Sequence, residues 1–366
     1  MNPLTPDSRI CPKCHNNADR YRPPSHHLPP GTVLHDRYVI GRAMGEGGFG
    51  ITYIGYDPVL EIRAAIKEYY PVERCTRNSL KTREVELFAG ISPGSFMRGR
   101  EKFLREARIL AKMDKQKVIV GVRDYFEENN TAYIVMEYIE GTTFTDLVRE
   151  RGGRILPGEL FSITEPLFEA LSELHKSGLI HRDICPDNLM LENGQIRLLD
   201  FGCARETAKS RDTLTITLRH GYAPIEQYQQ SGGQGTWTDI YALSATFYYC
   251  LTGTVPPHAT NRITKETLRP LRNQCPELTP RLEKVLLKGM ALRPHQRYRT
   301  MEDLHDAIYA GKTVSCKKKT ARFSAEKKIK SGITAVLTGS ALAAGKKITI
   351  KKSLNNLHKK LCKKSL

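Results

Sequence analysis

Hydrophobic residues follow two different periods along the chain. Between Tyr38 and Met136 they form short runs rich in β-branched and aromatic residues, bounded by Gly, Asn and Asp, which is typical of strands. Beyond Gly141 the apolar positions recur every three or four residues, which is typical of amphipathic helices. The clearest helical sets are Leu160, Ile163, Leu167, Leu171 and Leu174, and Leu282, Val285, Leu286 and Met290. The pattern predicts an α+β architecture in which a small strand-rich lobe precedes a larger helical lobe.

One helix interrupts the strand-rich half. Over residues 101–113, Phe103, Ala107 and Leu110 recur at helical spacing, so Glu106 lies beside the apolar stripe. The preceding segment, residues 69–100, has no clear period and is long for a connection. We expect this segment to be either an insertion loop or a pair of short strands.

Composition sets the domain boundaries. The N-terminal residues end in the proline-rich stretch RPPSHHLPP, which favours an extended linker because proline cannot continue regular backbone pairing. We therefore predict an N-terminal arm over residues 1–35, the strand-rich lobe over 36–140, the helical lobe over 141–311 and a lysine-rich tail over 312–366.

Cys11 and Cys14, followed by His15, have the spacing of one zinc knuckle. A closed tetrahedral site needs four ligands, and no second Cys-x-x-Cys pair follows, although His26 or His27 would supply a further donor. A structural Zn²⁺ site and an unligated flexible arm are therefore the two alternatives. Most of the nine cysteines are scattered singly, which is typical of reduced thiols.

Hydropathy predicts a cytoplasmic protein. No stretch approaches the roughly 20 apolar residues that span a bilayer, and the first residues lack the apolar segment of a signal peptide. A hydrophobic content of 40% over 366 residues is enough for a two-lobed core.

The formal net charge of +18 belongs mostly to the tail, where residues 312–366 contain sixteen Lys and Arg and a single acid, Glu326. Three alternatives remain for this tail: a solvated disordered segment, an electrostatic contact with an anionic membrane surface that would make the protein peripherally membrane-associated, or contact with nucleic acid. The weakly apolar stretch from Gly332 to Gly345 is short of a membrane span.

Four short motifs occur in a fixed order. The first is the glycine loop Gly45-Glu46-Gly47-Gly48-Phe49-Gly50, a hairpin sequence that lets backbone approach phosphate groups where a Cβ would clash. Lys67 follows in Ala64-Ala65-Ile66-Lys67, then His181-Arg182-Asp183 with Asn188 five residues on, and then Asp200-Phe201-Gly202. A glycine loop alone is weak evidence, because ordinary hairpins are glycine-rich too. The complete series with its spacing is hard to produce by accident.

In these motifs, over roughly residues 36–311, the chain resembles the eukaryotic-like (Hanks-type) serine/threonine protein kinases of bacteria. The resemblance implies the two-lobed protein kinase fold. It also implies transfer of the ATP γ-phosphoryl group to Ser or Thr hydroxyls of protein substrates, a signalling activity that requires ATP and Mg²⁺.

The resemblance also assigns roles to single residues. Asp183 would accept the proton of the substrate hydroxyl, Asn188 and Asp200 would bind Mg²⁺, and Lys67 would hold the α- and β-phosphates. Glu106 would orient Lys67, although their 39-residue separation exceeds the family norm. Phe49 would cap the tip of the glycine loop. The predicted adenine pocket consists of Thr52, Ala65 and Met190, with Met136 as gatekeeper and Glu137 and Tyr138 as hinge.

Two predicted contacts are structural. Glu226 matches the glutamate that ends the family's activation segment, and its expected partner is Arg297, in a buried ion pair. Asp239 matches the acid that braces the catalytic-loop backbone from a buried helix. The activation segment between Asp200 and Glu226 would carry autophosphorylation at Thr213, Thr215 or Thr217.

Besides Ile225, which stands where the family usually has proline, two departures from the family bear on the chemistry. Cys185 replaces the lysine that usually steadies the γ-phosphate, and Arg219 replaces the usual threonine of the activation segment. We expect either that Arg219 takes over the role of the missing lysine or that it is a substrate-facing surface charge. The rival functions are a catalytically dead kinase-fold scaffold and a small-molecule kinase. Retention of Lys67, Asp183 and Asp200 speaks against the first, and the complete activation-segment anchor speaks against the second.

Overall fold

The computed structural model describes residues 22–48, 50–113, 117–200, 205–206, 218–229 and 233–310. The chain divides into one compact unit over Met1–Ile308 and a second over Tyr309–Leu366. The helices and strands of the described residues belong to the first unit, except that the last helix ends at Tyr309.

The N-terminal half of this unit is built on strands, as the alternating apolar runs predict. Its strands are β1 (Val33–Leu34), β2 (Tyr38–Gly47), β3 (Gly50–Asp57), β4 (Ile62–Tyr69), β5 (Cys75–Thr76), β6 (Glu86–Leu87), β7 (Val122–Glu128) and β8 (Thr131–Glu137). Six of them form an antiparallel sheet in the order β1-β2-β3-β4-β8-β7. The strands β5 and β6 pair with each other, which confirms the second alternative for the segment before the first helix.

The first helix, α1 (Pro93–Ala111), begins eight residues before the predicted start at residue 101. Its first turns contain Gly94 and Gly99, two poor helix formers that weaken the sequence pattern. Phe96 and Phe103 both pack against Tyr69, so tertiary contact extends the helix past its local signal. The helix packs against β7 and β8.

The C-terminal half is mainly helical, as the change of period predicts. Its elements are β9 (Thr142–Thr143), α2 (Phe144–Glu150), α3 (Pro157–Lys176), β10 (Leu179–Ile180), β11 (Leu189–Glu192), β12 (Gln195–Leu198), β13 (Arg205–Glu206), α4 (Thr236–Thr252), α5 (Ala259–Thr264), α6 (Pro280–Gly289) and α7 (Met301–Tyr309). The helix α4 is buried along most of its length. Its Phe247 lies between Phe161 and Phe168 of α3, with ring centroids 5.7 and 6.2 Å apart. This packing gives the lobe a core of its own.

Short strand pairs frame the loop that carries the predicted catalytic residues. The strand β11 pairs with β12 on one side and with β9 on the other, and β10 pairs with β13. The loop from β10 to β11 contains Asp183 and Asn188, and the chain after β12 leads to Asp200. None of the helices in the described ranges is both long and apolar enough to cross a membrane.

Candidate active site

The glycine loop forms the hairpin between β2 and β3, where Gly47 pairs with Gly50. A Cβ added at Gly45 or at Gly47 would meet no protein atom within 4 Å, so open space lies against this backbone. This room fits the predicted approach of a phosphate chain. At Gly50 the structure shows a further reason for a glycine: a Cβ there would lie 2.1 Å from the backbone oxygen of Glu68 on β4. Close strand packing therefore requires Gly50, and the contact of Gly50 with phosphate stays a prediction.

Lys67 is on β4, directly opposite Thr52 of β3 and Ile134 of β8. The Lys67 side chain is buried, and its Nζ donates a hydrogen bond to the Asp200 carboxylate. The structure thus brings together a predicted phosphate-holding lysine and a predicted metal ligand that are 133 residues apart. Glu106 is buried on α1. Its pairing with Lys67 stays a prediction.

The residues of the predicted adenine pocket lie on adjacent strands. Ala65 of β4 and Met136 of β8 are directly paired, and both are buried. Met190 of β11 packs, partly buried, against the hydrophobic core of the N-terminal lobe. Together with Thr52 on β3, these residues come from both halves of the fold. Their contact with adenine stays a prediction.

The predicted hinge makes contacts that the sequence did not indicate. The Glu137 carboxylate pairs with Arg197 of β12, and Arg197 also donates a hydrogen bond to Glu192 over 3.0 Å. The Tyr138 ring lies under the Arg63 guanidinium, 5.6 Å from ring centroid to Cζ. Arg197 is 8% exposed, so this salt bridge fixes the hinge to the C-terminal lobe. The alternation of β12 places Arg197 on the face opposite Ile196 and Leu198, so nothing in the sequence indicated that this arginine is buried.

Asp183 and Asn188 are held against each other in the loop before β11. Asn188 Nδ2 donates to the Asp183 backbone oxygen over 2.7 Å and to its Oδ2 over 3.0 Å. Burial, and next the negative charge of Asp200, raise the pKa of Asp183 to about 7. The raised pKa makes the Asp183 carboxylate a suitable proton acceptor near neutral pH.

The backbone on the N-terminal side of Asp183 is braced by Asp239 of α4, as predicted. Its Oδ2 and Oδ1 accept hydrogen bonds from the backbone N–H groups of His181 and Arg182, each over 2.8 Å. The His175 Nε2 lies 2.8 Å from the same Oδ2. Burial raises the pKa of Asp239, but the His175 hydrogen bond, the nearby imidazoles and the Arg182 N–H outweigh it, and the net pKa is lowered.

This brace holds strained backbone. Arg182 has a φ of +71°, in the left-handed region that costs a non-glycine residue energy. Its N–H is held by Asp239, and its carbonyl oxygen accepts a hydrogen bond from Gln227 over 2.9 Å. Neither Gln227 nor His175 was predicted from the sequence, since neither belongs to a motif. The position of Gln227 beside Glu226 was the available signal.

The imidazole of His181 is neutral and fixes the loop from inside. Its pKa is lowered, chiefly because the ring is fully buried. Its Nε2 lies 3.0 Å from the Leu199 carbonyl oxygen, which can only accept, so Nε2 carries the proton. Nδ1 then accepts the backbone N–H of Asp183 over 3.3 Å. His181 thereby links Asp183 to the segment that leads to Asp200.

The predicted ion pair between Glu226 and Arg297 is confirmed. The two side chains form a bidentate contact of 2.7 and 3.0 Å, and both are buried. Arg297 also donates hydrogen bonds to the backbone oxygens of Ala291, Trp237 and Leu292. With these partners the buried charges are satisfied, so the pair anchors the end of the activation segment.

Arg219 reaches the catalytic loop from the activation segment. Its Nε is 3.7 Å from Asp183 Oδ1, and its Nη1 is 3.5 Å from Asp187 Oδ2. The Arg219 side chain is 47% exposed, whereas Cys185 is buried. A permanent positive charge therefore lies beside the predicted proton acceptor, where Cys185 offers none.

The donor set fits the predicted cofactors. Asn188 and Asp200 offer amide and carboxylate oxygens, the hard ligands that Mg²⁺ prefers. Lys67 and the open glycine hairpin offer a cation and free backbone for phosphate groups.

Some predicted residues lie outside the described residues. These are Cys11 and Cys14, the Phe49 tip, Phe201 and Gly202, the three threonines of the activation segment, and the tail 312–366.

Comparisons with known proteins identify the family. The model of the protein kinase domain matches residues 38–325. The serine/threonine-protein kinase PrkC of Bacillus subtilis is 29% identical over 287 residues, which cover 76% of this chain and 41% of PrkC. The serine/threonine-protein kinase PknB of Mycolicibacterium smegmatis is 30% identical over 286 residues, which cover 74% of this chain and 42% of PknB. The chain thus spans about two fifths of the length of these relatives.

Solved structures agree with this assignment. The apo form of PpkA-294 is 33% identical and has a TM-score of 0.64, covering 78% of this chain and all of that chain. The M. tuberculosis PknI kinase domain, 23% identical with a TM-score of 0.55, shares the fold and covers 78% of this chain. The chain belongs to the protein kinase family, in the group of bacterial Hanks-type serine/threonine kinases.

Proposed function

We propose that this chain is an active serine/threonine protein kinase that transfers the ATP γ-phosphoryl group to protein hydroxyls. The observation that carries the proposal is the convergence of Lys67, Asp183, Asn188 and Asp200 in one structure. These four residues come from three separate motifs, and the charges of Asp200 and Lys67 both act on Asp183. A catalytically dead scaffold would not be expected to retain all four.

The chemistry follows from what each side chain can do. Lys67 supplies a buried cation for the phosphates, and the glycine hairpin supplies backbone that can approach them. Asp183, held by Asn188, is positioned to accept the proton of a substrate hydroxyl and to align that hydroxyl. When bound at Asn188 and Asp200, Mg²⁺ would neutralise charge on the transferred phosphoryl group.

Arg219 is proposed to replace the missing catalytic-loop lysine. It is placed within 3.7 Å of Asp183 and carries two donors that can reach an anionic oxygen. Its contacts with Asp183 and Asp187 support this role over that of a substrate-facing surface charge. Autophosphorylation at Thr213, Thr215 or Thr217 belongs to the same proposal.

The remaining partners and locations are also proposals. The cytoplasm is the proposed location, and Ser- or Thr-containing proteins are the proposed substrates. The excess of lysine in residues 312–366 favours an electrostatic contact with an anionic membrane surface, with nucleic acid as the alternative. Zn²⁺ at Cys11 and Cys14 rests on their spacing alone.

The experiment that tests this function is phosphoryl transfer from radiolabelled ATP in the presence of Mg²⁺, followed by phosphoamino-acid analysis. We expect label on serine or threonine with the wild-type chain and none with Asp200→Asn. Asp306→Asn is the matched control, since its side chain is 82% exposed on α7. Equal labelling by wild type and Asp200→Asn, or label on tyrosine alone, would contradict the proposal.

A further inference from the structure

A group of three possible metal ligands joins the N-terminal arm to the edge of the predicted ATP site. His26 and His27 belong to the N-terminal arm, and Glu46 belongs to the glycine loop at the end of β2. His26 Nε2 is 2.9 Å from Glu46 Oε1, and His27 Nε2 is 2.9 Å from Oε2. Both imidazoles thus present the same ring nitrogen to one carboxylate. Among the described residues this is the one cluster of three such groups.

The arm that carries the histidines is fixed by its own contacts. Arg77 donates two hydrogen bonds to the His26 backbone oxygen, over 2.9 and 2.6 Å, while its guanidinium pairs with the buried Glu68. The Leu28 N–H donates to the Tyr53 hydroxyl over 3.1 Å. Because none of these contacts involves Glu46, the arm holds its place independently of that carboxylate.

Aromatic packing also orients the two rings. His26 stacks on Tyr70 with centroids 5.6 Å apart, and His27 meets Tyr53 edge-on at 6.1 Å. These contacts restrict the rings before any ligand binds, which lowers the entropy that binding has to offset. The cluster is therefore preorganised.

The donor chemistry matches Zn²⁺. Two imidazole nitrogens and one carboxylate are a known zinc ligand set, with the remaining position open to water. Donors about 2.0–2.1 Å from one Zn²⁺ lie roughly 3.3 Å from each other in tetrahedral geometry. The three donors here all lie within 4.8 Å of one another, so small side-chain shifts suffice.

Exposure is graded across the cluster. The His27 side chain is 8% exposed, whereas those of His26 and Glu46 are 30% and 32% exposed. One side of the cluster is thus shielded by protein and the other is open, which gives an ion a route in and leaves room for water. With neutral imidazoles the cluster carries one negative charge, which favours a cation.

We propose that His26, His27 and Glu46 form a Zn²⁺ site that ties the N-terminal arm to the glycine loop. Zinc bound there restrains the β2 side of the loop, because Glu46 lies between the two glycines with open space against their backbone. In this proposal His26 and His27 bind zinc together with Glu46 instead of completing a site at Cys11 and Cys14, and neither cysteine is needed. The site does not depend on the proposed kinase activity, since its ligands can be tested by metal binding alone.

The test is a calorimetric titration of the metal-free full chain with Zn²⁺. To remove any contribution of the cysteines, the reference protein carries Cys11→Ser and Cys14→Ser. We expect it to bind one Zn²⁺, and we expect His26→Ala with His27→Ala to weaken that binding at least tenfold. No Zn²⁺ binding by the reference protein, or equal affinity after the histidine substitutions, would overturn the proposal.

Two further variants distinguish binding at this site from misfolding and from non-specific binding of Zn²⁺. Glu46→Gln keeps the side-chain shape and a hydrogen-bond acceptor but removes the carboxylate, and we expect at least tenfold weaker binding. His220 and His258 form another histidine pair, stacked with centroids 4.3 Å apart, so their double alanine variant is the matched control. It should bind Zn²⁺ as the reference does. Equal affinity of Glu46→Gln and the reference, or loss of binding in the control, would also overturn the proposal.

Hydrogen exchange tests whether Zn²⁺ connects the N-terminal arm to the glycine loop. We expect Zn²⁺ to slow amide hydrogen exchange in residues 26–28 and 45–47 of the reference protein and to leave exchange unchanged in the double histidine variant. Slower exchange in the variant as well would place the ion elsewhere.

Discussion

Asp183 and Asp239 lie at the same loop, yet their surroundings differ in kind. Asp239 is fully buried and accepts two backbone N–H groups, with His175 at hydrogen-bond distance, and its pKa is lowered. The Asp183 side chain is 15% exposed, receives the Asn188 amide, faces a second acid and has a raised pKa. Asp239, whose oxygens are occupied by hydrogen bonds, stabilises the backbone of the loop. Asp183 has a pKa at which it can accept a proton, so it is available for chemistry.

The largest expected effect is on stability and comes from substituting Asp239, the carboxylate whose oxygens are occupied by hydrogen bonds. Asp239→Asn replaces one acceptor oxygen with an amide that points donors at backbone N–H groups. We expect the free energy of unfolding to fall by about 3–5 kcal/mol, because buried donors lose a charged partner. Urea denaturation followed by circular dichroism measures it. A loss under about 1 kcal/mol, similar to the exposed control Asp306→Asn, would show that Asp239 is not a brace.

A smaller effect, on the rate of phosphoryl transfer, is expected from substituting Arg219 beside Asp183. Arg219→Ala should lower kcat at least tenfold, a cost of about 1.4 kcal/mol in the transition state, with little change in the KM for ATP. The reason is that the positive charge beside Asp183 is lost, while Lys67 and the glycine loop, which would hold the phosphates of ATP, are unchanged. Steady-state kinetics with a peptide substrate measures both constants.

The control for this effect is Arg149→Ala, since Arg149 is 75% exposed on α2. Adding Cys185→Lys to Arg219→Ala should restore much of the rate, because it returns a cation to the loop. If Arg219→Ala alters only peptide preference, or if the added lysine restores nothing, Arg219 does not replace the missing lysine.

The sequence predicted the residues that belong to motifs, because those motifs resemble the motifs of a known family. Asp183 and Asn188 are five residues apart, so one loop conformation brings them together. Asp239 and the ion pair of Glu226 with Arg297 were predicted by the same motif matching, and the structure confirms them.

Contacts set by tertiary packing were not predictable in this way. The pairing of Glu137 with Arg197 and the seating of His26 and His27 on Glu46 join segments that no motif connects. The close approach of Gly50 to Glu68 of the neighbouring strand was also not predictable, since a clash with another strand cannot be read from a glycine loop.

The smallest expected effect is at the tail. Deleting residues 312–366 should leave peptide phosphorylation within about twofold of wild type, because the predicted catalytic residues all lie upstream. The same deletion should remove binding to anionic vesicles, and full-length binding should weaken steeply as salt rises. Vesicle cosedimentation at several salt concentrations measures it. Binding that ignores salt would point instead to insertion of the apolar stretch from Gly332 to Gly345.

The difference between the two aspartates also sets an expectation for stability. A raised pKa means that folded Asp183 binds more protons than the unfolded chain between its ordinary pKa and about 7, so its ionisation costs stability as pH rises through that window. The neutral amide of Asp183→Asn has no such cost. The Asp183→Asn variant should therefore lose activity without losing stability.

The most direct test of the account is to measure phosphoryl transfer and the free energy of unfolding on the same preparation of Asp183→Asn. We predict that the rate of transfer falls by about 10²–10⁴-fold, while nucleotide affinity stays unchanged and stability at pH 8 is no lower than that of wild type. Undiminished transfer, or a loss of rate that is matched by unfolding, would contradict the assignment of Asp183 as the proton acceptor.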